Sequence, residues 1–333
     1  MPNWFQQPAR LASTVGLLVI AMVAAATATA SASTARPHAA GHRACGAVLS
    51  VNLTAAGFTI PGPDPRPAGA TTFQVTTPDA AGHYFYTARL RGSTTIAEVE
   101  QWSAEVNSPV LSVELAAAQN LYKWVDYTGG VAVYPDTPAT LTIGLTPGTY
   151  YFFDTPAFSD TDSASLHLGA GASAVQLMAA SMPAPSHLNS LQVSPRQGGA
   201  PGASPRHIDG VIHLVMRNGK PAYDIPSSLP ADGTFLIRND ITQPAQAVFR
   251  QVAPGTTDAE IQAYFNALLA GGPTPPDPLT TSPGGIMTIS PGDSAIVHLD
   301  FPAATYAVLS FLEDPTNGIH LAYEGMHKVV IMH

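Results

Sequence analysis

The feature that most limits what this chain can fold into is its resemblance to itself. Residues 71–102, TTFQVTTPDAAGHYFYTARLRGSTTIAEVEQW, align without a gap to residues 233–264, GTFLIRNDITQPAQAVFRQVAPGTTDAEIQAY, at an offset of 162 positions. The alignment pairs Phe73 with Phe235, Val75 with Ile237, Leu90 with Val252, Glu98 with Glu260 and Trp102 with Tyr264. A second block follows in the same order: LTIGLTPGTYYFF (141–153) matches AIVHLDFPAATYAVL (295–309) once two residues are inserted. A third, HLGAGASAVQLM (167–178), is set against HLAYEGMHKVVIM (320–332). A period this long is one whole module used twice and not a solenoid. The expected organisation is a first domain at 45–180, a linker rich in Pro, Gly and Ser at 181–206, and a second domain at 207–333. A short strand is expected inside the linker at 188–193.

Within each copy the pattern is that of strands. The chain carries only 11% charged residues but 31 Pro and 28 Gly, which punctuate helices and are tolerated between strands. Alternating runs such as 72–75 and 234–237 are bounded by Pro, Gly and Asp turns. One helix interrupts them in each copy. Thr257 with Glu260 forms a capping-box signature, and Ile261, Tyr264, Phe265, Leu268 and Leu269 fall on one helical face. Thr95 with Glu98, then Val99, Trp102 and Val106, repeat the device. The fold class predicted is all-β: two tandem Greek-key sandwiches, each with one inserted short helix.

The order of signals carries a family resemblance. Asn239 ends an early strand, a loop and a strand follow, then a turn before the aromatic strand ATYAV, a loop with His320, Gly325-Met326 and a final Val/Ile strand. This resembles the cupredoxins, the blue-copper fold, well over 207–333 and more faintly over 45–180. The resemblance implies a type 1 copper site built from two imidazoles, one thiolate and a weak axial thioether. In the second copy His320 matches the C-terminal imidazole and Met326 the axial thioether, so these are its candidate metal ligands. The thiolate position holds Ser310 and the upstream imidazole position holds Ala245, and a serine hydroxyl does not replace a soft thiolate. In the first copy His83 aligns with Ala245 and His167 with His320, while Asp154 lies near the thiolate position and no Met follows. His83, His167 and Asp154 together offer the donor set of a harder divalent-ion site, against the plainer alternative of separate polar residues.

Compartment and partners follow from charge. Arg10, an apolar run over 11–26 and the small residues ATATASA read as a secretory signal over 1–32, with A-x-A cleavage near Ala30 or Ala32. The apolar run is shorter than the roughly 20 residues of a membrane span, so a secreted protein without stable membrane insertion is expected. Removing the signal takes only Arg10 from the 14 Lys and Arg that stand against 23 Asp and Glu, and the lysines are only Lys123, Lys220 and Lys328. Nucleic acid and anionic lipid are poor partners for such a surface. The single cysteine, Cys45, forms no bridge within the chain.

No metalloprotease, nucleophile-elbow, phosphate-loop or dinucleotide motif occurs. Glu313-Asp314 and Asp160 with Asp162 are expected to be solvated loop charges. His298, His327 and His333 fall on expected strands as solvent-facing residues. The function expected is therefore a secreted, non-enzymatic binding or structural protein with no cofactor, its type 1 copper site incomplete, acting on an extracellular ligand or protein. The alternatives are copper binding through a reduced His/Met set and an enzyme related to the multicopper oxidases.

Overall fold

Inward-facing positions on every second residue drive the fold. In the strand Asp232–Asn239, Gly233, Phe235, Ile237 and Asn239 point into the core and the residues between them point out. Gly69–Thr76 repeats the pattern with Thr71, Phe73 and Val75. The computed structural model describes residues 47–106, 108–157, 187–196, 207–271, 275–280 and 284–333.

The first half runs β1 (Ala47–Asn52), β2 (Arg66–Pro67), β3 (Gly69–Thr76), β4 (His83–Leu90), α1 (Ile96–Glu105), α2 (Leu111–Trp124), β5 (Val125–Val133), β6 (Ala139–Leu145), β7 (Gly148–Pro156) and β8 (His187–Ser194). The second half runs β9 (Gly210–Arg217), β10 (Lys220–Asp224), β11 (Ser228–Leu229), β12 (Asp232–Asn239), β13 (Ala245–Val252), α3 (Asp258–Leu269), β14 (Gly284–Ile289), β15 (Ser294–Asp300), β16 (Ala304–Leu309) and β17 (His327–Met332).

These strands make two sheets that both halves share. One is ordered β1-β3-β6-β15-β12-β9-β10, and the other β11-β17-β16-β13-β14-β5-β4-β7-β8-β2. The orders β1-β3-β6 and β9-β12-β15 mirror each other about the β6/β15 junction, where Leu141 pairs with Val297. The orders β8-β7-β4-β5 and β17-β16-β13-β14 mirror each other about the β5/β14 junction, where Val131 pairs with Ile286. Both junctions are antiparallel, so the halves join by equivalent edges, and four potential free strand edges are hydrogen-bonded away. The two mixed sheets give the all-β, cupredoxin-like sandwich class expected from the sequence.

The core lies between the sheets and crosses the junction. Phe73, Phe85 and Phe152 from the first half and Phe235, Phe249 and Val297 from the second belong to one buried cluster. Phe73 and Phe152 pack at 5.4 Å, and each buried Phe contributes about 2–3 kcal/mol. The outer face of the ten-stranded sheet is covered as well. Ala117, Ala118 and Leu121 of α2 lie on Tyr84, Tyr86 and Val125, while Ile261 and Phe265 of α3 lie on Val252 and Leu309. Burial on both faces is why β4 and β13 show almost no alternation. Both expected capping boxes form, with Glu98 accepting from the Thr95 N–H and Glu260 from the Thr257 N–H, each at 2.8 Å.

Two expectations change. The first half has two helices and not one: α2 buries Ala117, Ala118 and Leu121 beside Glu114, and the aligned stretch of the second half, PTPPDPLTTSPGGI, offers no matching helical pattern to reveal it by repetition. The third block of the internal alignment is also displaced. The strand that pairs with β7 as β17 pairs with β16 is β8, at the short strand expected within 188–193. Residues 167–178 lie outside the described residues. Among the described residues no helix is long and apolar enough to cross a membrane.

Candidate functional site

The sandwich delivers the same strand end in each half, and register identifies what stands there. In the second half β13 and β16 pair Val248 with Leu309, and β16 and β17 pair Leu309 with His327. Carried one residue past the paired strands, the same register sets Ala247 opposite Ser310 and Ser310 opposite Met326. In the first half the same geometry pairs Phe85 with Asp154, and Asp154 with His187. Asp154 therefore takes the place of Ser310, His187 that of Met326, and His83, at the alignment offset, that of Ala245.

In the second half the place is filled and satisfied. Ser310 is fully buried, and its Oγ accepts the Gln246 N–H at 3.2 Å. The Gln246 side chain accepts the Phe311 N–H at 3.1 Å, and its carbonyl accepts the Tyr223 hydroxyl. Ala245, fully buried, packs in the core cluster that also holds Met326 and Leu321. Asn239 is a structural clamp: its amide donates to the Gln243 and Ile289 carbonyls at 3.0 and 2.8 Å, and its oxygen accepts the Ile241 N–H at 3.0 Å.

His320 is held by the returning loop. Ala322 donates to the Ser310 carbonyl and Met326 to the Leu321 carbonyl, both at 2.8 Å, and Gly325 turns the chain at φ +110°. The ring is 4% exposed and lies edge-on to Tyr323, 5.1 Å between centroids. Desolvation pushes its pKa down to about 4, opposed by a hydrogen bond with the Phe311 backbone, so the imidazole is neutral near pH 7. Its Nδ1 is buried without a hydrogen-bond partner.

This set does not fit a type 1 copper ion. The sulfur position carries a hydroxyl already engaged as an acceptor, and the upstream imidazole position carries a methyl group.

The first half replaces the site with a hydrogen-bonded chain. Asp154 is fully buried, and its two oxygens each face an imidazole: His83 Nδ1 at 3.0 Å and His187 Nδ1 at 3.1 Å. The other nitrogen of His83 lies 2.9 Å from Asp79, so His83 has a carboxylate acceptor at each end. The hydrogen bond from His83 is the main cause that holds the Asp79 carboxyl below its ordinary range. His187 sits over Gly57, where φ is +108° and a Cβ would lie 3.0 Å from the ring. Only glycine suits that position. Among the described residues no group of three or more His, Cys, Asp or Glu side chains is placed to hold a metal ion.

Of the candidates read from sequence, the structure joins His83 to Asp154 and places His320 and Met326 in the same loop. His167 lies outside the described residues. Sequence reasoning missed His187, because it sits in a Pro/Ser-rich stretch and the third alignment block pointed elsewhere. It also missed Asp79, one helical turn's spacing before His83 but in a loop.

No protein-family model matches the chain, and no curated protein sequence matches it. Solved structures do align with it. A dithionite-reduced auracyanin from the photosynthetic bacterium Roseiflexus castenholzii aligns at 21% identity over 40% of this chain and 99% of its own, with a TM-score of 0.23. A multicopper oxidase aligns at 11% identity over 86% of this chain and 88% of its own, with a TM-score of 0.20. The blue copper oxidase from Nitrosomonas europaea aligns at 14% identity over 85% and 84%, with a TM-score of 0.19.

Two further groups depart from expectation. His327 is not solvent-facing: α3 covers it, its Nε2 lies 2.9 Å from the Gln262 side-chain oxygen, and burial lowers its pKa. His298 does face out, with its side chain 44% exposed. Glu313 is not a solvated loop charge but is buried beneath α2, where Tyr122 donates to its carbonyl at 2.9 Å. The fully buried carboxyl of Glu114 meets the Glu313 side chain there. Desolvation is the main cause that raises the Glu114 pKa.

Proposed function

We propose that this is an exported, non-enzymatic protein made of two cupredoxin-like modules in tandem, the first reaching Ser194 at the end of β8 and the second spanning 207–333. It serves as a binding or structural unit for an extracellular ligand or protein. One observation carries the reading. At both strand ends where a type 1 site needs its thiolate there is an oxygen side chain, Ser310 or Asp154, each fully buried and already hydrogen-bonded. An oxygen that is buried and satisfied would have to give up its bonds to take a cation, at a cost of about 1–3 kcal/mol for each polar group stranded. Export is supported by the apolar, charge-free run behind Arg10 and by the acidic balance of the rest of the chain. Adding Cu(II) to purified protein lacking residues 1–32 tests the reading. No intense thiolate-to-copper absorption is expected, and a tightly bound blue species overturns it.

A second reading has one observation in its favour. His320 is neutral and buried, and its Nδ1 is without a partner, as a soft-ion ligand in the same loop as Met326 would be. Calorimetry with Cu(I) separates the two. This reading requires affinity that falls in His320→Ala and Met326→Leu, and the first requires no measurable heat of binding in either variant or the parent.

A further inference from the structure

A cleft of about 480 Å³ opens where the first half meets the base of the second, bordered at Ala80 by the loop that carries Asp79 and leads into His83. Its floor is aromatic. Phe249 and Phe301 pack at 5.6 Å, Phe301 stacks on Tyr306 at 5.6 Å, and Tyr134 reaches in from the first half. Glycines set two of these rings. A Cβ on Gly284 would lie 2.7 Å from the Phe301 ring, and one on Gly82 would lie 2.3 Å from the Tyr134 ring. The cleft is thus built by positions that exclude larger residues, and its volume is in the range of small-molecule sites, about 300–1,000 Å³.

The lining selects by charge. Among the described residues around the cleft Asp136 supplies the one carboxylate, exposed on the rim in the β5–β6 turn, and there is no Lys, Arg or His. An anion meets no counter-charge here. A cation meets a carboxylate on the rim and an aromatic lining in which Phe301 is only partly buried. The mirrored position in the first half lacks the device, since Phe249 corresponds there to Thr87, whose hydroxyl is bonded to Thr128 and to the Gly129 carbonyl.

We propose that this cleft binds a small organic cation, an alkylammonium group carried on an apolar body. The site shares no residue with the strand-end places, so the proposal stands or falls independently of the copper experiment.

The test uses the full chain and three probes with one body: 2-phenylethylammonium, 2-phenylethanol and 3-phenylpropionate, followed by calorimetry and ligand-observed NMR at low salt. The ammonium should bind about 5-fold or more tighter than the alcohol, and the carboxylate should not bind. Asp136→Asn should bring the ammonium to the level of the alcohol, and Ala80→Trp, a rim substitution that fills the cleft, should abolish binding. Both positions are exposed, and unchanged thermal melts confirm the fold. Equal binding of ammonium and alcohol to the parent overturns the charge assignment. Binding by none of the probes, or binding that survives Ala80→Trp, overturns the site. If Ala80→Trp unfolds the protein, Thr280→Trp fills the cleft from the opposite rim, and binding that survives it overturns the site equally.

Discussion

Replacing His320 by a side chain that does not titrate should remove a defined part of the acid sensitivity of this protein. The imidazole is buried, and its pKa falls from the ordinary value of 6.5 to about 4 on folding. Above pH 6.5 both folded and unfolded chains carry it neutral, and it contributes no pH dependence. As the pH falls below 6.5 the unfolded chain takes up a proton that the folded chain refuses, so stability is lost until the pH passes about 4. At about 1.4 kcal/mol per unit, the full loss across that window is about 3 kcal/mol. His320→Gln should carry a constant packing cost at neutral pH of about 1–2 kcal/mol. That cost should shrink, and then reverse, as the pH is lowered. Urea unfolding of parent and variant at several pH values between about 7 and 4 gives the difference curve, in which the contributions of other groups, His327 included, cancel. Parallel curves for the two proteins would refute the buried, neutral state of His320.

Other expectations follow from the same structure. Glu114→Gln should stabilise the protein increasingly as the pH rises above the ordinary glutamate range: the buried acid has a raised pKa, so the folded state holds a proton that the unfolded state releases. Denaturation at acid and neutral pH checks the sign. Asp154→Ala strands two imidazoles and should cost about 3 kcal/mol in the same assay. Thr257→Ala should cost about 1 kcal/mol by removing the α3 capping box, with hydrogen exchange accelerated first in Asp258–Leu269.

Much of the architecture was legible because the module is written twice. The pairing of Phe73 with Phe235 and of Glu98 with Glu260 fixed strands and helices before any coordinate, and β3, β4, α1 and their counterparts fall where that alignment puts them. Two elements escaped the repeat for physical reasons, although a strand was expected at 188–193. α2 has no counterpart in the repeat, since the stretch 162 positions on, PTPPDPLTTSPGGI, is rich in Pro and Gly. β8 stands on register and not on composition: its Leu191 and Val193 are buried by pairing with β7 in a stretch whose flanks are Pro, Gly and Ser. The site was half legible for the same reason. His83, Asp154, Ser310 and Ala245 were found by alignment, whereas His187 meets Asp154 only through the β7–β8 register, which no local pattern announces. The fusion of the two halves into shared sheets also lay beyond the sequence, because the pairing of β6 with β15 and of β5 with β14 joins strands more than 150 positions apart.

Two ordinary sandwich strand ends carry oxygen where copper chemistry needs sulfur. Visible absorption on adding Cu(II) to the native chain, beside a Ser310→Cys/Ala245→His variant that retains His320 and Met326, tests it most directly. The native chain should show no intense charge-transfer band and the folded variant should gain one; a blue native chain, or a folded variant that takes up copper without the band, would contradict the account.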